Sequence, residues 1–214
     1  MGNVIITDPH QVDWLSWRPK LIDRRDQALG GQSADRSLKQ IKRIVWHYTG
    51  VKRSLRRKIW NHERFWSQDR GWDRGGYHYY IDSDGVLYWN YNWERMTWGV
   101  ADCNDFCIHI SVEAGSANDY SRTQLETREW ITLILMKSLG LDASAVQGHW
   151  EVNNNTLCPG YSFEQMEAFR RGLRKTMKEI ERGKSYPVEE GLLKLAGKMY
   201  RVEEVELNTK FSNN

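Results

Sequence analysis

The sequence predicts an α/β domain with a mixed central β-sheet flanked by helices. Three observations predict it. Short β-branched and aromatic runs alternate along the chain with longer stretches of helical period. Two of those runs flank Asp84-Gly85, a strong local signal for a β-hairpin. The length, 214 residues of which 40% are hydrophobic, allows one sizeable core and is too short for two full domains. The expected division is an N-terminal arm over 1–40, a main domain over 41–183 and a C-terminal extension over 184–214 with no assigned role.

In chain order, residues 1–40 are polar, with Trp14, Trp17 and Pro19 near the start and a Gly30-Gly31 break. They read as an extended arm with one short helix, laid over the domain by its tryptophans. Residues 42–49, around Ile44, Val45 and Trp46, alternate and are rich in β-branched side chains, so they read as a buried strand ending at His47–Thr49. Residues 54–69 place Leu55, Ile59, His62, Phe65 and Trp66 at three- and four-residue spacing, an amphipathic helix with an Arg/Lys-rich outer face. The hairpin runs through Tyr77–Asp82 and Val86–Trp89. Residues 106–114 alternate as a central strand. Residues 121–139 form a helix that Gly140 terminates, and 163–182 a last helix with Met166, Phe169, Leu173, Met177 and Ile180 on one face. Residues 183–187 read as a linker. Within the extension a short helix (189–195) and a strand (199–207) are expected, too little to fold alone.

With 31 basic and 28 acidic residues the net charge is only +3, so nothing demands a nucleic-acid partner, and a mildly basic surface suits a polyanionic cell envelope as well. Eleven tryptophans and ten tyrosines leave two readings open, core packing or stacking against a ligand in a groove. Three cysteines, an odd number, do not make a disulfide framework. The N-terminus lacks the basic and apolar regions of a signal peptide, and no apolar run reaches the length of about 18 residues that a membrane span needs. Synthesis in the cytoplasm, no membrane insertion and a monomer are the expectations.

The loop His149–Cys158 carries a histidine and a cysteine nine positions apart among Asn, Thr, Pro and Gly. With His47 at a strand end, these three side chains have the composition of a catalytic zinc site, which takes three protein ligands and leaves a fourth position open. Spacing alone leaves the bland reading, core or surface histidines, equally open. Cys103 and Cys107, four apart, have no obvious partners and read as buried thiols.

Four motifs then occur in a recognisable order: Ile44-Val-Trp-His47-Tyr-Thr, Arg70-Gly-Trp72 through Gly76-Tyr77-His78 to Gly85, Asn104 before an alternating strand, and Gly148-His149 through Thr156-Leu-Cys158-Pro-Gly160. Together they resemble the type 2 N-acetylmuramoyl-L-alanine amidases, a class that includes bacteriophage lytic amidases and the peptidoglycan recognition proteins of animals. The resemblance covers roughly 42–180. It implies the fold of that class, with 41–183 as the catalytic domain, and a Zn2+ cofactor held by His47, His149 and Cys158. It further implies that Tyr77 assists the attacking water or the developing oxyanion, and that Thr156 stands where phage enzymes have lysine. Tyr48, Trp72, Trp98 and Asn104 are the implied substrate contacts, with Trp98 standing in for a His-Ala pair common in relatives. The implied partner is bacterial peptidoglycan. The implied reaction is hydrolysis of the amide between N-acetylmuramic acid and L-alanine, leading to wall lysis. A phage endolysin, held in the host cytoplasm until holin-mediated release, fits these features. A wall-binding protein that does not cut and an amidase recycling anhydro-muropeptides are the alternatives. His109 is expected as a core residue or a support to a ligand, His62 and His78 as helix-face and sheet residues, and Glu151 is a conceivable proton shuttle.

Overall fold

The structure, a computed structural model, describes residues 19–182. Trp14, Trp17 and the expected helix and strand of the C-terminal extension lie outside the described residues. Six strands, β1 (Leu21–Asp23), β2 (Arg43–Tyr48), β3 (Tyr79–Ile81), β4 (Leu87–Trp89), β5 (Cys107–Val112) and β6 (Val146–Gly148), form one sheet in the order β1-β4-β3-β5-β2-β6. The β3–β4 hairpin is antiparallel and every other pair is parallel, so the sheet is mixed as expected. At the hairpin turn, Asp82 Oδ1 accepts from the backbone N–H of Asp84 and Val86, and Gly85 takes φ 81°.

Strand side chains alternate between faces, and here the alternation separates two environments. Ile44, Trp46, Ile108, Ile110 and Val112 join one large apolar core with α2 (Arg122–Leu139) and α4 (Phe163–Glu181). Val45 and Cys107 belong to a separate small cluster, beside which lie His47, His109 and Ser111. The register sets Val45 opposite His109 and His47 opposite Ser111, so the buried polar side chains share one face.

Both long helices begin at a capping box. Ser121 Oγ accepts from Gln124 N while Gln124 Oε1 accepts from Ser121 N, and Ser162 and Gln165 repeat the arrangement at α4. Gly140, at φ 63°, closes α2. Met166, Phe169, Leu173 and Ile180 of α4 are buried as their spacing requires.

The helix expected over 54–69 is shorter. A 3-10 turn at Arg53–Leu55 ends in Arg56, which takes a left-handed conformation, and α1 proper runs Ile59–Gln68. The hairpin holds the intervening residues out of the helix. Arg56 pairs with Asp84, Lys58 with Asp82, and the Tyr80 hydroxyl donates to Arg57 O at 2.8 Å. The buried stripe is also rotated: Ile59, Glu63 and Trp66 face inward, whereas Leu55 and Phe65 are exposed. Glu63 is tolerated inside because Arg24 bonds it at 3.1 Å.

Arg24 comes from residues 19–40, which add β1 to the sheet edge and contain a 3-10 turn at Leu38–Gln40. Arg36 goes deeper. Its guanidinium is buried and donates to the carbonyls of Trp93 (2.9 Å), Asn104 (2.7 Å) and Cys107 (2.8 Å).

Candidate metal centre and cleft

His47 is the fifth residue of β2 and is almost fully buried. β6 pairs with β2 through Trp46↔Gly148, and His149 follows at once as the first residue of the short helix α3 (His149–Val152), which brings it beside the end of β2. The chain then loops out and returns. Trp150 N donates to Cys158 O at 2.9 Å, and Cys158 N donates to Thr156 Oγ1 at 3.1 Å. α4 anchors the loop through Arg170, whose guanidinium bonds both carboxylate oxygens of Glu151, at 2.9 and 3.0 Å, and the carbonyl of Val146. Glu151 also accepts from Gly148 N at 2.8 Å. Both its oxygens are thus engaged in holding the loop, a structural clamp where the sequence left a proton shuttle conceivable.

One ligand atom each from His47, His149 and Cys158 lie within 4.8 Å of one another. Cys158 Sγ is 3.8 Å from His47 Nδ1, and the two histidine rings are 4.7 Å apart at their centroids. Two ligands of a tetrahedral zinc, one nitrogen and one sulfur, should sit about 3.5 Å apart given typical bond lengths. The His47–Cys158 pair is close to that separation, and a two-nitrogen, one-sulfur donor set suits zinc among the common ions. Electrostatics agree with the fit. Burial, reinforced by His109 and His149, holds His47 far below the usual imidazole range, and burial lowers His149 too, so both are neutral and offer lone pairs. Burial pushes the Cys158 thiol up to about 12, against the N–H of Tyr48, which donates to Sγ at 3.3 Å. A bound cation is what would hold this sulfur as a thiolate at neutral pH.

Behind the trio stands a file of buried histidines. His47 Nε2 is 3.1 Å from His109 Nδ1, and the backbone N–H of His109 donates to His78 Nδ1 at 3.1 Å. His78 Nδ1 is thereby an acceptor, so the neutral ring carries its proton on Nε2, which donates to Arg95 O at 2.9 Å. Arg36 lies against the far end of the file.

Tyr77 places its ring 5.4 Å from that of His47 and edge-on to Trp66. Burial and the nearby Cys158 keep its hydroxyl protonated well above the usual tyrosine range. Thr156 accepts the Cys158 N–H, which orients its hydroxyl and leaves the proton free to donate elsewhere. A groove of about 530 Å³ runs past the centre, lined among others by His149, Thr156, Trp72, Trp98 and Asn104. Trp72 stacks on Trp66 at 6.0 Å, and Trp98 is held by an Nε1 bond to Asp73 at 2.7 Å with the Arg74 guanidinium 4.5 Å over its ring. Asn104 accepts from Val100 N through Oδ1, shaping the groove edge. Tyr48 does not line this groove. Its ring packs on the apolar core, and its N–H serves the cysteine.

Sequence reasoning passed over Glu113. This fully buried carboxylate accepts from the Tyr80 hydroxyl at 2.7 Å and bonds His62 at 3.0 Å, and its charge helps raise Tyr77. An acidic residue at an inward position of an apolar strand was the available signal.

The fold and site define a class: an α/β protein with a His2Cys cluster that could hold a metal ion, opening onto a groove with aromatic walls. Within that class the chain belongs to the N-acetylmuramoyl-L-alanine amidase family, whose profile matches residues 37–161. Its reaction is hydrolysis of the amide between N-acetylmuramic acid and L-alanine in peptidoglycan. Solved structures that share the fold include the following three. An N-acetylmuramoyl-L-alanine amidase of Clostridium intestinale (LysC) is 22% identical with a TM-score of 0.55, covering 71% of this chain and 97% of its own. The endolysin of the Thermus scotoductus bacteriophage Ph2119 is 18% identical with a TM-score of 0.56, covering 71% and 99%. The wild-type Drosophila recognition protein PGRP-LB is 18% identical with a TM-score of 0.55, covering 76% and 94%. No curated protein matches the chain.

Proposed function

We propose that the chain is a zinc-dependent wall-lytic amidase in which His47, His149 and Cys158 hold the metal and Tyr77 and Thr156 assist the reaction. The observation that carries this reading is the convergence of three ligand atoms from β2, α3 and the following loop to within 4.8 Å. Zinc, when bound there, supplies Lewis acidity for amide hydrolysis. The chain's own residues do the rest. Water adds to the lactyl carbonyl carbon and gives up a proton, the C–N bond breaks, and the L-alanine nitrogen takes that proton and leaves as an amine. Negative charge gathers on the carbonyl oxygen during the addition. The Thr156 hydroxyl, with its oxygen already bonded by Cys158 N, can donate to that charge, as can the protonated Tyr77 hydroxyl. Trp72, Trp98 and Asn104 hold the substrate along the groove.

The reading includes a phage endolysin, acting as a monomer, made in a host cytoplasm and released to the wall through a holin. The likeness to the phage endolysin fold supports it. Mass spectrometry of digested sacculi tests the reaction. New L-alanine amino termini without new reducing sugars are expected, abolished by chelator and restored by zinc. Activity on anhydro-muropeptides with none on sacculi would replace wall lysis by recycling, and binding without cleavage would remove the enzyme reading altogether.

A further inference from the structure

The histidine file does work that the assigned roles leave unused. His109 is completely buried, touches neither groove nor solvent, and stands one hydrogen bond behind a metal-ligand candidate. If His47 presents Nδ1 to the metal, the atom facing Cys158, its proton must sit on Nε2. That proton points at His109 Nδ1, 3.1 Å away. A histidine ligand with its other nitrogen bonded to a fixed acceptor keeps one tautomer and one ring orientation.

The acceptor is itself fixed from two sides. Its backbone N–H is tied to His78 Nδ1, and its ring is pressed against the backbone of Gly99. A Cβ at position 99 would come within 2.4 Å of His109 Cγ and 2.6 Å of its Nδ1, so only glycine admits the ring in this position. Gly99 therefore has a reason to be glycine that owes nothing to its own conformation, and the reason is His109.

We infer that His109 is a positioning residue: it accepts the Nε2 proton of His47 and so holds the His47 ring with Nδ1 free for the metal, while Gly99 clamps His109 in place. This rests on the zinc reading proposed above.

The test measures zinc affinity of the full chain by competition with a chromogenic chelator, with folding followed by circular dichroism. His109→Leu removes the acceptor and should weaken zinc binding by about 10- to 100-fold. His109→Asn puts an amide oxygen near the site of Nδ1 and should recover much of the loss. Gly99→Ala, which pushes the ring away without touching a ligand, should weaken zinc as His109→Leu does. A plain structural role for His109 would not give rescue by Asn. Because either variant can also fold poorly, a measurement on the unaltered chain stands beside them. In the zinc-loaded protein, 15N-edited NMR should find His109 as the Nε2–H tautomer, with Nδ1 accepting. Unchanged zinc affinity in His109→Leu, equal loss in Leu and Asn variants, or an Nδ1–H tautomer at His109 would each overturn the inference alone. Failure of the unaltered chain to bind zinc would overturn the metal reading and this inference with it.

Discussion

The two faces of the sheet are built from alternate residues of the same strands, yet they solve opposite problems. The face toward α2 and α4 is filled by Ile44, Trp46, Ile108, Ile110 and Val112, and the buried Arg128 lies 3.8 Å over the ring of Trp46 in a box of aromatic rings. The other face buries His47, His78, His109, Ser111 and Glu113 with no less completeness. Apolar burial on the first face drives folding. On the second, polar groups removed from water need partners: His47, His109 Nδ1 and His78 find them along the file and Glu113 through Oε2, whereas His109 Nε2 and Glu113 Oε1 have none among the described residues. One face therefore carries stability, and the other spends part of it on a rigid site.

If this division holds, substitutions on the two faces should separate activity from stability. The largest effect is expected from Cys158→Ala. It removes a proposed ligand at the cost of a small buried thiol, so amidase activity should fall on the order of 10³-fold or more, equivalent to about 4 kcal/mol of barrier, with the unfolding midpoint of the metal-free protein little changed. Release of L-alanine termini and a urea titration read the two quantities. Substantial residual activity would show that the sulfur is not needed for the chemistry.

Leu173→Ala is the counterpart on the other face. Leu173 is fully buried in α4, and its truncation should cost about 3 kcal/mol of stability while leaving turnover per folded molecule unchanged. A fall in kcat at full folding would mean that the helical layer positions the centre more directly than the division allows.

The faces should also differ in pH response. His78 and His109 are held far below the ordinary 6.5 by burial, with Arg36 opposing charge on both. Below pH 6.5 the unfolded chain takes up protons that the folded chain refuses, so stability is complete above that pH and declines as pH falls. Each such histidine approaches about 1.4 kcal/mol per pH unit, so the pair should remove about 2 kcal/mol between pH 6 and pH 5, and His47, lowered in the same way, about 1 kcal/mol more in the metal-free protein. Urea midpoints of the metal-free protein at the two pH values measure this. A flat profile would mean that these rings charge without penalty and are less enclosed than their burial indicates.

The same contrast explains what could be read from the chain. β2, β5, the hairpin at Asp84-Gly85 and the helices α2 and α4 were legible because their signals are local: period, turn chemistry and the glycine stop at Gly140. The His47, His149 and Cys158 cluster was legible because its motifs occur in a fixed order. The entry of Arg36 beneath β5, the Arg24–Glu63 pair that turns α1, and the file from His47 to His78 join residues 31 to 71 positions apart. Such pairings leave no periodic trace. A buried histidine on an apolar strand signals only that some partner exists.

Trp98 and Trp46 reduce the comparison to two side chains. Each donates its Nε1 proton, to Asp73 at 2.7 Å and to Thr132 at 3.0 Å, and each carries an arginine over its ring, at 4.5 and 3.8 Å. Trp46 is sealed in the core, whereas Trp98 lines the groove. With one side of the indole occupied by Arg74, the groove side is available to a sugar or peptide unit. Stacking of that kind is worth about 1 kcal/mol, so Trp98→Ala should raise KM roughly fivefold with kcat kept, the pattern of an interaction made equally in ground and transition states. Trp46→Ala should instead lower the folded fraction and leave KM of the surviving enzyme alone. An unchanged KM in Trp98→Ala would mean that the Asp73–Arg74 frame holds this indole for the shape of the groove edge and not for the substrate.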